Sequence, residues 1–261
     1  MNYIIEYATI FIQKIIQTTY IKIVNINIKN KGGRKVKGKK VVITGAGSGL
    51  GQSLAQRLSQ DGAEIILLGR TREKLENTAN TLDGPSLIFS VDIRNKSDLE
   101  HVFSQINDLD ILINNAGTGR FGNAELLSRE AVDKMIDTNL KGTIYCTQAV
   151  LPLMKQRKQG LIVNIISTAG KKGKAEESVY CASKFGVRGF TESLNIELQD
   201  TPIQVAALYI GGMNTSFWDG ILEEEKISGF MDPDDVAEIV IENIKTRTNI
   251  NIKEVVIDRQ K

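Results

Sequence analysis

Tyr180 and Lys184 stand four residues apart, a spacing that puts two side chains on one face of a helix. A phenol titrates near pH ~10 and is a poor proton donor or acceptor at neutrality. A neighbouring cation favours the phenolate and lowers that value, so the pair could act as a general acid and base. Alone the pair is weak evidence, because a Tyr and a Lys so spaced often only decorate a helix. Ser167 lies thirteen residues before Tyr180, at the end of an apolar run. A second chemical feature lies upstream, in Thr44-Gly45-Ala46-Gly47-Ser48-Gly49-Leu50-Gly51. Gly45, Gly49 and Gly51 follow a GxxxGxG spacing rather than the more common GxGxxG. The demand they meet is similar: a tight turn, close approach of backbone to a pyrophosphate, and close packing of a helix on a sheet. The helix start that follows offers free N–H groups to an anion. A glycine turn can also be a simple loop; its place between a strand and a helix favours the dinucleotide reading. Leu50 belongs to the same turn, and Ser48 could face a phosphate.

The next apolar run ends Leu67-Leu68-Gly69-Arg70-Thr71-Arg72. Gly69 occupies the place where an acid would bind the ribose 2′-hydroxyl of NAD. Arg70 can meet a 2′-phosphate with a planar fork of donors. The expected cofactor is therefore NADP(H), with NAD(H) as the alternative. Arg70 and Arg72 can equally be read as solvated charges at a helix start.

These residues need elements to position them, and the pattern from Lys39 onward supplies alternating strands and helices. Strands are expected at Lys40–Thr44, Glu64–Gly69, Leu87–Val91, Asp110–Asn114, Leu161–Ser167, Ile203–Tyr209 and Glu254–Asp258. Helices are expected at Leu50–Asp61, Thr71–Leu82, Ser97–Ile106, Glu130–Arg157, Ser178–Leu198 and Pro233–Thr246. Pro152 should bend the later part of the long Glu130–Arg157 helix. Asp232 and Pro233 form a cap and first-position pair. Apolar strands alternating with helices imply a parallel sheet covered on both faces. The expected architecture is a single-domain, Rossmann-like, doubly wound α/β fold with a seven-stranded parallel sheet flanked by helices. Such sheets bind ligands beyond the carboxyl ends of their strands, and the motifs above fall on that edge.

The 261 residues are 41% apolar, enough for one large α/β domain, assigned to residues 37–261. The formal net charge of +2 argues against a nucleic-acid partner, which usually meets a basic stripe. Cys146 and Cys181 form no CxxC pair, so a disulfide framework or zinc site is not expected and a reducing cytoplasm is. His101, the single histidine, cannot build a metal site unaided and reads as a surface residue; no metal is expected. Residues 1–36 read as an N-terminal extension, disordered or a product of an upstream start, with an extra strand conceivable at residues 20–28. Lys31–Lys40 looks like a solvated linker. Glu6, Lys14, Lys22 and Lys29 break every apolar run in that segment well short of the ~18 residues of a membrane span. No membrane partner and no secretory signal are expected.

Taken together, the motifs resemble the classical short-chain dehydrogenase/reductase family over roughly Lys37–Arg259. Thr44–Gly51 is similar to the family's TGxxxGxG turn. Asp92, followed by Ile93, matches the acid that holds the adenine ring. Asn114-Asn115-Ala116-Gly117 reproduces NNAG, which supports the sheet and lines the nicotinamide ribose. Asn139 matches the catalytic asparagine, Ser167 the catalytic serine, and Tyr180-Cys181-Ala182-Ser183-Lys184 the YxxxK motif. In Gly211-Gly212-Met213-Asn214-Thr215 the resemblance implies cofactor contacts from Gly211 and Thr215. It also implies that Ser167 binds the substrate oxygen, that Lys184 holds the nicotinamide ribose, and that Asn139 holds a water linking Lys184 to solvent. The implied chemistry is reduction of a carbonyl to an alcohol, with Tyr180 as acid and, in reverse, as base. The competing readings are an NAD(H)-dependent alcohol dehydrogenase and a nucleotide-binding regulator without turnover. Regulatory relatives would be expected to lose Tyr or Lys, and Asn139, Ser167, Tyr180 and Lys184 are all kept.

Two positions depart from the family pattern. Ile166 replaces a frequent Ser and should be harmless. Ile210 replaces a Pro that would stiffen the wall beside the nicotinamide, so a looser wall is expected. Arg120 and Phe121 either reach the substrate or are loop residues. In the short segment Thr215–Met231, Phe217 and Trp218 either wall the substrate or pack beneath a lid. Lys171, Lys172 and Lys174, balanced by Glu176 and Glu177, are expected near the mouth. The expected partner is a small carbonyl or alcohol rather than a sterol. By resemblance of Glu130–Arg157 and Ser178–Leu198 to subunit-pairing helices, a homodimer or homotetramer is implied.

Overall fold

The computed structural model describes residues 36–245 and 250–260. The conceivable strand at residues 20–28 and the helix end at Thr246 lie outside the described residues. β1 (Lys40–Thr44) leads through the glycine turn to α1 (Gly49–Gln60), β2 (Glu64–Gly69), α2 (Arg72–Ala79), β3 (Ser86–Ser90) and α3 (Lys96–Ser104). After β4 (Ile111–Asn114) come α4 (Arg129–Met135), a π-helical turn (Ile136–Lys141) and α5 (Gly142–Arg157). Then follow β5 (Gly160–Ser167), α6 (Ser178–Glu197), β6 (Ile203–Ile210), the short α7 (Glu224–Ile227), α8 (Pro233–Ile244) and β7 (Glu254–Ile257).

The seven strands form one parallel sheet in the order β3-β2-β1-β4-β5-β6-β7. The order reverses between β1 and β4, which opens a crevice at their carboxyl ends. Alternate strand residues serve opposite faces. Val41 and Ile43 pack with Leu54 and Leu58 of α1, Leu75 of α2 and Val240 of α8. Val42, between them, packs with Leu99 of α3, Cys146 of α5 and Leu194 of α6. Val41, Val42, Ile43, Leu54 and Leu58 are fully buried, and each such side chain stabilises the fold by about 1.5–3 kcal/mol. Covering on both faces explains why the strands read as continuous apolar runs. Val36, just ahead of β1, is buried in the first of these layers, because an apolar side chain gains more from packing than from solvent.

The expected seven-stranded doubly wound architecture is the one observed. Element ends shift by up to three residues. Two larger differences concern helices. The single Glu130–Arg157 helix is interrupted by the π-helical turn at Ile136–Lys141, and α7 was not expected. Pro152 lies inside α5, which continues beyond it to Arg157.

Candidate active site

The glycine turn forms at the carboxyl end of β1. Gly45 and Gly49 adopt φ of +67° and +51°, left-handed values that L side chains rarely tolerate. At Gly51 a Cβ would lie 2.3 Å from the Gly45 carbonyl oxygen, so α1 can approach the turn only because that carbon is missing. Ser48 stands at the helix N-cap with extended backbone and makes no side-chain capping bond. The first N–H groups of α1 are therefore left for another acceptor.

The turn after β4 is stitched to the glycine turn. The Thr44 hydroxyl accepts from the Asn115 and Ala116 amides at 3.0 and 2.9 Å. Asn115 Nδ2 donates to the Thr44 carbonyl at 2.9 Å. Asn114 Nδ2 donates to Thr147 Oγ1 at 3.1 Å and Asn164 Oδ1 at 2.9 Å, which ties β4 to α5 and β5. Asn139, in the π-helical turn, is nearly fully buried at 1% exposure. Its Nδ2 donates to the Thr118 carbonyl at 2.9 Å and the Ser183 hydroxyl at 3.0 Å, and its Oδ1 accepts from the Thr118 amide at 2.8 Å. Its carbonyl accepts from the Thr143 hydroxyl at 2.9 Å. The Asn139 side chain thus clamps the loop after Gly117. Gly117 itself lies between groups: a Cβ there would be 3.4 Å from Asn139 Oδ1 and 3.7 Å from Lys184 Nζ.

Tyr180 and Lys184 sit in α6, 8% and 6% exposed, with the Lys184 ammonium 5.8 Å from the Tyr180 ring centroid. Lys184 Nζ donates to the Ile165 carbonyl of β5 at 3.2 Å. Burial brings its ammonium down to about 8, since a charge in a dry site loses its hydration. Burial also pushes the Tyr180 phenol well above its ordinary range, against the pull of a hydrogen bond with Ser167; the nearby Glu177 charge adds to the rise. The sequence expectation that Lys184 would lower Tyr180 is corrected here: desolvation dominates in this site. Ser167 ends β5, and its hydroxyl also accepts from the Ala169 amide at 3.1 Å.

These groups share one cleft of about 1250 Å³, large enough for a dinucleotide together with a small substrate. It is lined by Gly45, Ser48, Gly49, Leu50, Arg70, Asp92, Ile93, Asn115, Ala116, Gly117, Ser167, Tyr180, Lys184, Gly211 and Thr215. Gly51 and Asn139 lie behind this lining, where they hold its backbone. Thr215 reaches across to the glycine turn, where a Cβ on Gly49 would lie 3.1 Å from it.

Asp92 faces the cleft with its carboxylate committed to Arg94, whose Nη2 is 2.6 Å from Oδ2 and whose Nε is 3.0 Å from both oxygens. The Arg94 guanidinium holds the carboxyl below its usual range. Any adenine contact made by Asp92 shares its oxygens with that arginine. Arg72 is paired with Glu76 at 2.8 Å. Ile210 is a buried strand residue in register with Ser167 and Ile257. A Pro would end that strand; Ile continues it.

Above Tyr180 the structure resolves the alternatives left open for the aromatic residues. Phe121 meets the Tyr180 ring edge-on at 5.4 Å, and Phe217 lies 6.0 Å from it. Trp218 contacts Phe121, Phe217 and Phe230 at 5.5, 5.1 and 5.3 Å, and its indole donates to the Met213 carbonyl at 3.0 Å. Phe217 and Trp218 thus both pack into a roof and line the cleft. Bridging between Met213 and Met231 ties down the base of this segment. Lys174, Glu176 and Glu177 line the mouth, and Arg120 lines the cleft as well. Lys171 instead pairs with Glu254 of β7 at 2.7 Å. Sequence reasoning gave no role to Thr44, Thr118 or Ser183, which make the bonds to Asn115 and Asn139. Thr44 alone carried a signal, a hydroxyl residue directly before the first glycine at a strand end.

Among the described residues no group of three or more His, Cys, Asp or Glu side chains is arranged to hold a metal ion, and no helix is long and apolar enough to cross a membrane. Cys146 and Cys181 are free and buried.

The short chain dehydrogenase family model matches residues 39–226. An uncharacterized oxidoreductase of Staphylococcus epidermidis is 33% identical over 227 residues, covering 85% of this chain and 98% of the relative. An uncharacterized oxidoreductase of Staphylococcus aureus strain MW2 is 33% identical over 224 residues, covering 84% and 96%. Among solved structures, the closed form of a serine dehydrogenase complexed with NADP+ superposes with a TM-score of 0.79 at 33% identity, covering 83% of this chain and 93% of that one. An alcohol dehydrogenase from the archaeon Thermococcus sibiricus, complexed with 5-hydroxy-NADP, gives 0.78 at 27% identity, covering 84% and 96%. With the glycine turn, the NNAG turn and the Ser167–Tyr180–Lys184 cluster assembled on one sheet edge, the chain belongs to the short-chain dehydrogenase/reductase family of oxidoreductases.

Proposed function

We propose that this protein is an NADP(H)-dependent reductase that converts a small ketone or aldehyde to its alcohol, with Tyr180 as the proton donor. The observation that carries this reading is the convergence of Ser167, Tyr180 and Lys184 on the cleft that the glycine turn also lines. The turn fits a dinucleotide: its left-handed glycines leave backbone N–H groups uncovered at an uncapped helix start. The NADP+ and 5-hydroxy-NADP of the two similar structures support the same cofactor class here. When bound, the reduced nicotinamide supplies the hydride.

The protein's own groups do the rest. Ser167 holds the substrate oxygen beside Tyr180. Tyr180, kept protonated by burial, gives its proton to that oxygen as negative charge builds on it. Lys184, cationic near neutrality, stabilises the phenolate left behind and holds the ribose. Asn139 fixes the loop carrying Gly117 against Lys184. The roof of Phe121, Phe217 and Trp218 excludes water and limits the site to compact, apolar carbonyls. Residues 37–261 carry this activity, with residues 1–36 as an extension. The free, buried cysteines fit a reducing cytoplasm.

The test follows absorbance of NADPH and NADH with a panel of aldehydes, ketones and diketones. Turnover with NADPH and a small apolar carbonyl supports the reading. Faster turnover with NADH overturns the cofactor assignment. Tight NADPH binding with no turnover across the panel overturns the enzymatic one.

A further inference from the structure

The basic side chains near the end of β2 are sorted by what they already hold. Arg72 is paired with Glu76 at 2.8 Å and turned along its own helix. Arg94 grips Asp92 with a contact of 2.6 Å. Arg70 and Lys74 form no salt bridge with any described residue, and both line the cleft. Lys74 lies in the first turn of α2, directly across from the glycine turn. A Cβ on Gly47 would lie 2.9 Å from Lys74 Cβ and 3.3 Å from its carbonyl carbon. Gly47 therefore serves a purpose that the three spaced glycines do not. Its bare Cα lets α2 close on the turn and brings the root of the Lys74 side chain into contact with it. The ammonium starts from the first turn of α2, against the glycine turn, and the guanidinium from the end of β2.

We propose that Lys74 is the second cation that recognises the 2′-phosphate of the nucleotide, acting with Arg70, and that Arg72 takes no part. The inference rests on the NADP(H) reading above and adds to it a residue that motif spacing does not single out. The chemistry divides between the two groups. A phosphate monoester carries a charge of about −1.5 to −2 near pH 7, more than one cation offsets. Arg70 can present a planar fork to two oxygens, while Lys74 is a compact charge on a flexible stem that can follow the third. Asp92, an acid that lines the same cleft, is held by Arg94, so its charge opposes the phosphate less than a free carboxylate would. NADH offers only a ribose hydroxyl here, and Lys74 contributes little to holding it.

The experiment measures dissociation constants rather than turnover. NADPH and NADH are titrated by nicotinamide fluorescence, and 2′,5′-ADP and 5′-AMP by calorimetry, for the parent protein, Lys74→Gln, Lys74→Arg and Arg72→Gln. Loss of one charge-assisted phosphate contact should weaken NADPH and 2′,5′-ADP about tenfold in Lys74→Gln. NADH and 5′-AMP should stay within about twofold, which also shows that the variant is folded. Lys74→Arg should retain most of the preference, and Arg72→Gln all of it. If the parent prefers NADPH and Lys74→Gln keeps that preference, or weakens NADPH and NADH alike, the role of Lys74 is overturned while the NADP(H) reading stands. If the parent binds NADH as tightly as NADPH, the NADP(H) reading itself fails, and the Lys74 assignment falls with it.

Discussion

Tyr180 is pulled two ways, upward by burial and downward by its hydrogen bond with Ser167, and burial prevails. A phenol so placed stays protonated through the physiological range and is ready to donate. What changes near neutrality is its neighbour, because Lys184 titrates at about 8. Above that value the ammonium no longer stabilises a phenolate, so kcat/KM for carbonyl reduction should fall as pH rises through about 8, a limb that a pH profile will show. Stability moves the other way. Between about 8 and the unfolded value near ~10.4 the unfolded chain holds a proton that the folded chain has released. Stability from this group therefore rises with pH across that window, and Lys184→Met should abolish the rise in denaturant titrations at pH ~7.5 and ~9.5. Replacing Tyr180 by Phe should remove turnover by ~10²-fold or more, the usual worth of a positioned acid, with NADPH binding retained in fluorescence titration. That Ser167, Tyr180 and Lys184 would meet at one cleft was legible in the sequence, because spacing on a helix and position after a strand survive as one-dimensional facts. The direction of the Tyr180 shift was not. It depends on how completely the cleft excludes water, which no spacing encodes.

Two segments position the site through a local departure from regularity. In the helical run from Arg129 to Arg157 the departure is the π-helical turn that carries Asn139, and such turns recur at functional positions. Asn139→Ala would leave the Thr118 amide and carbonyl without their partner, at a cost of about 1–3 kcal/mol measurable by denaturant unfolding. The same change should weaken nucleotide binding as the loop at Gly117 relaxes. In the segment after β6 the departure is the aromatic roof. Phe217→Ala removes a ring 6.0 Å from Tyr180. It should lower KM for bulky ketones while NADPH affinity stays the same, as steady-state kinetics on a graded ketone series will show. The strands and most helices were legible because burial on both faces writes itself as apolar runs and capping residues such as Asp232 mark helix starts. The π-helical turn was not, since widening a turn by one residue leaves the apolar periodicity on either side intact. The partition of Arg70, Arg72, Lys74 and Arg94 also escaped the sequence: which cation is free depends on where Glu76 and Asp92 point.

At the scale of the molecule, α6 carries Phe185 and Ile196 at 41% and 67% exposure, and the edge strand β7 carries Val256 at 55%. Apolar side chains on a long helix, and a strand edge with no further partner among the described residues, are surfaces that association covers. We expect a homodimer or homotetramer in solution, and sedimentation at several concentrations will show a single multiple of the chain mass. The strand order has a temporal consequence. β1 pairs with β4 through Val41 and Ile111, partners some seventy positions apart. The Thr44 hydroxyl and carbonyl wait for Asn115 over a similar span. Contacts this distant in the chain form late and slowly. As the ribosome releases the polypeptide, β1, β2 and β3 can assemble first, leaving the inner edge of β1 bare and the glycine turn unfastened. Nucleotide added to a nascent or refolding chain should therefore give no protection from proteolysis until the segment containing Asn115 has docked, so that nucleotide acts as a lock on the finished sheet and not as a template for it.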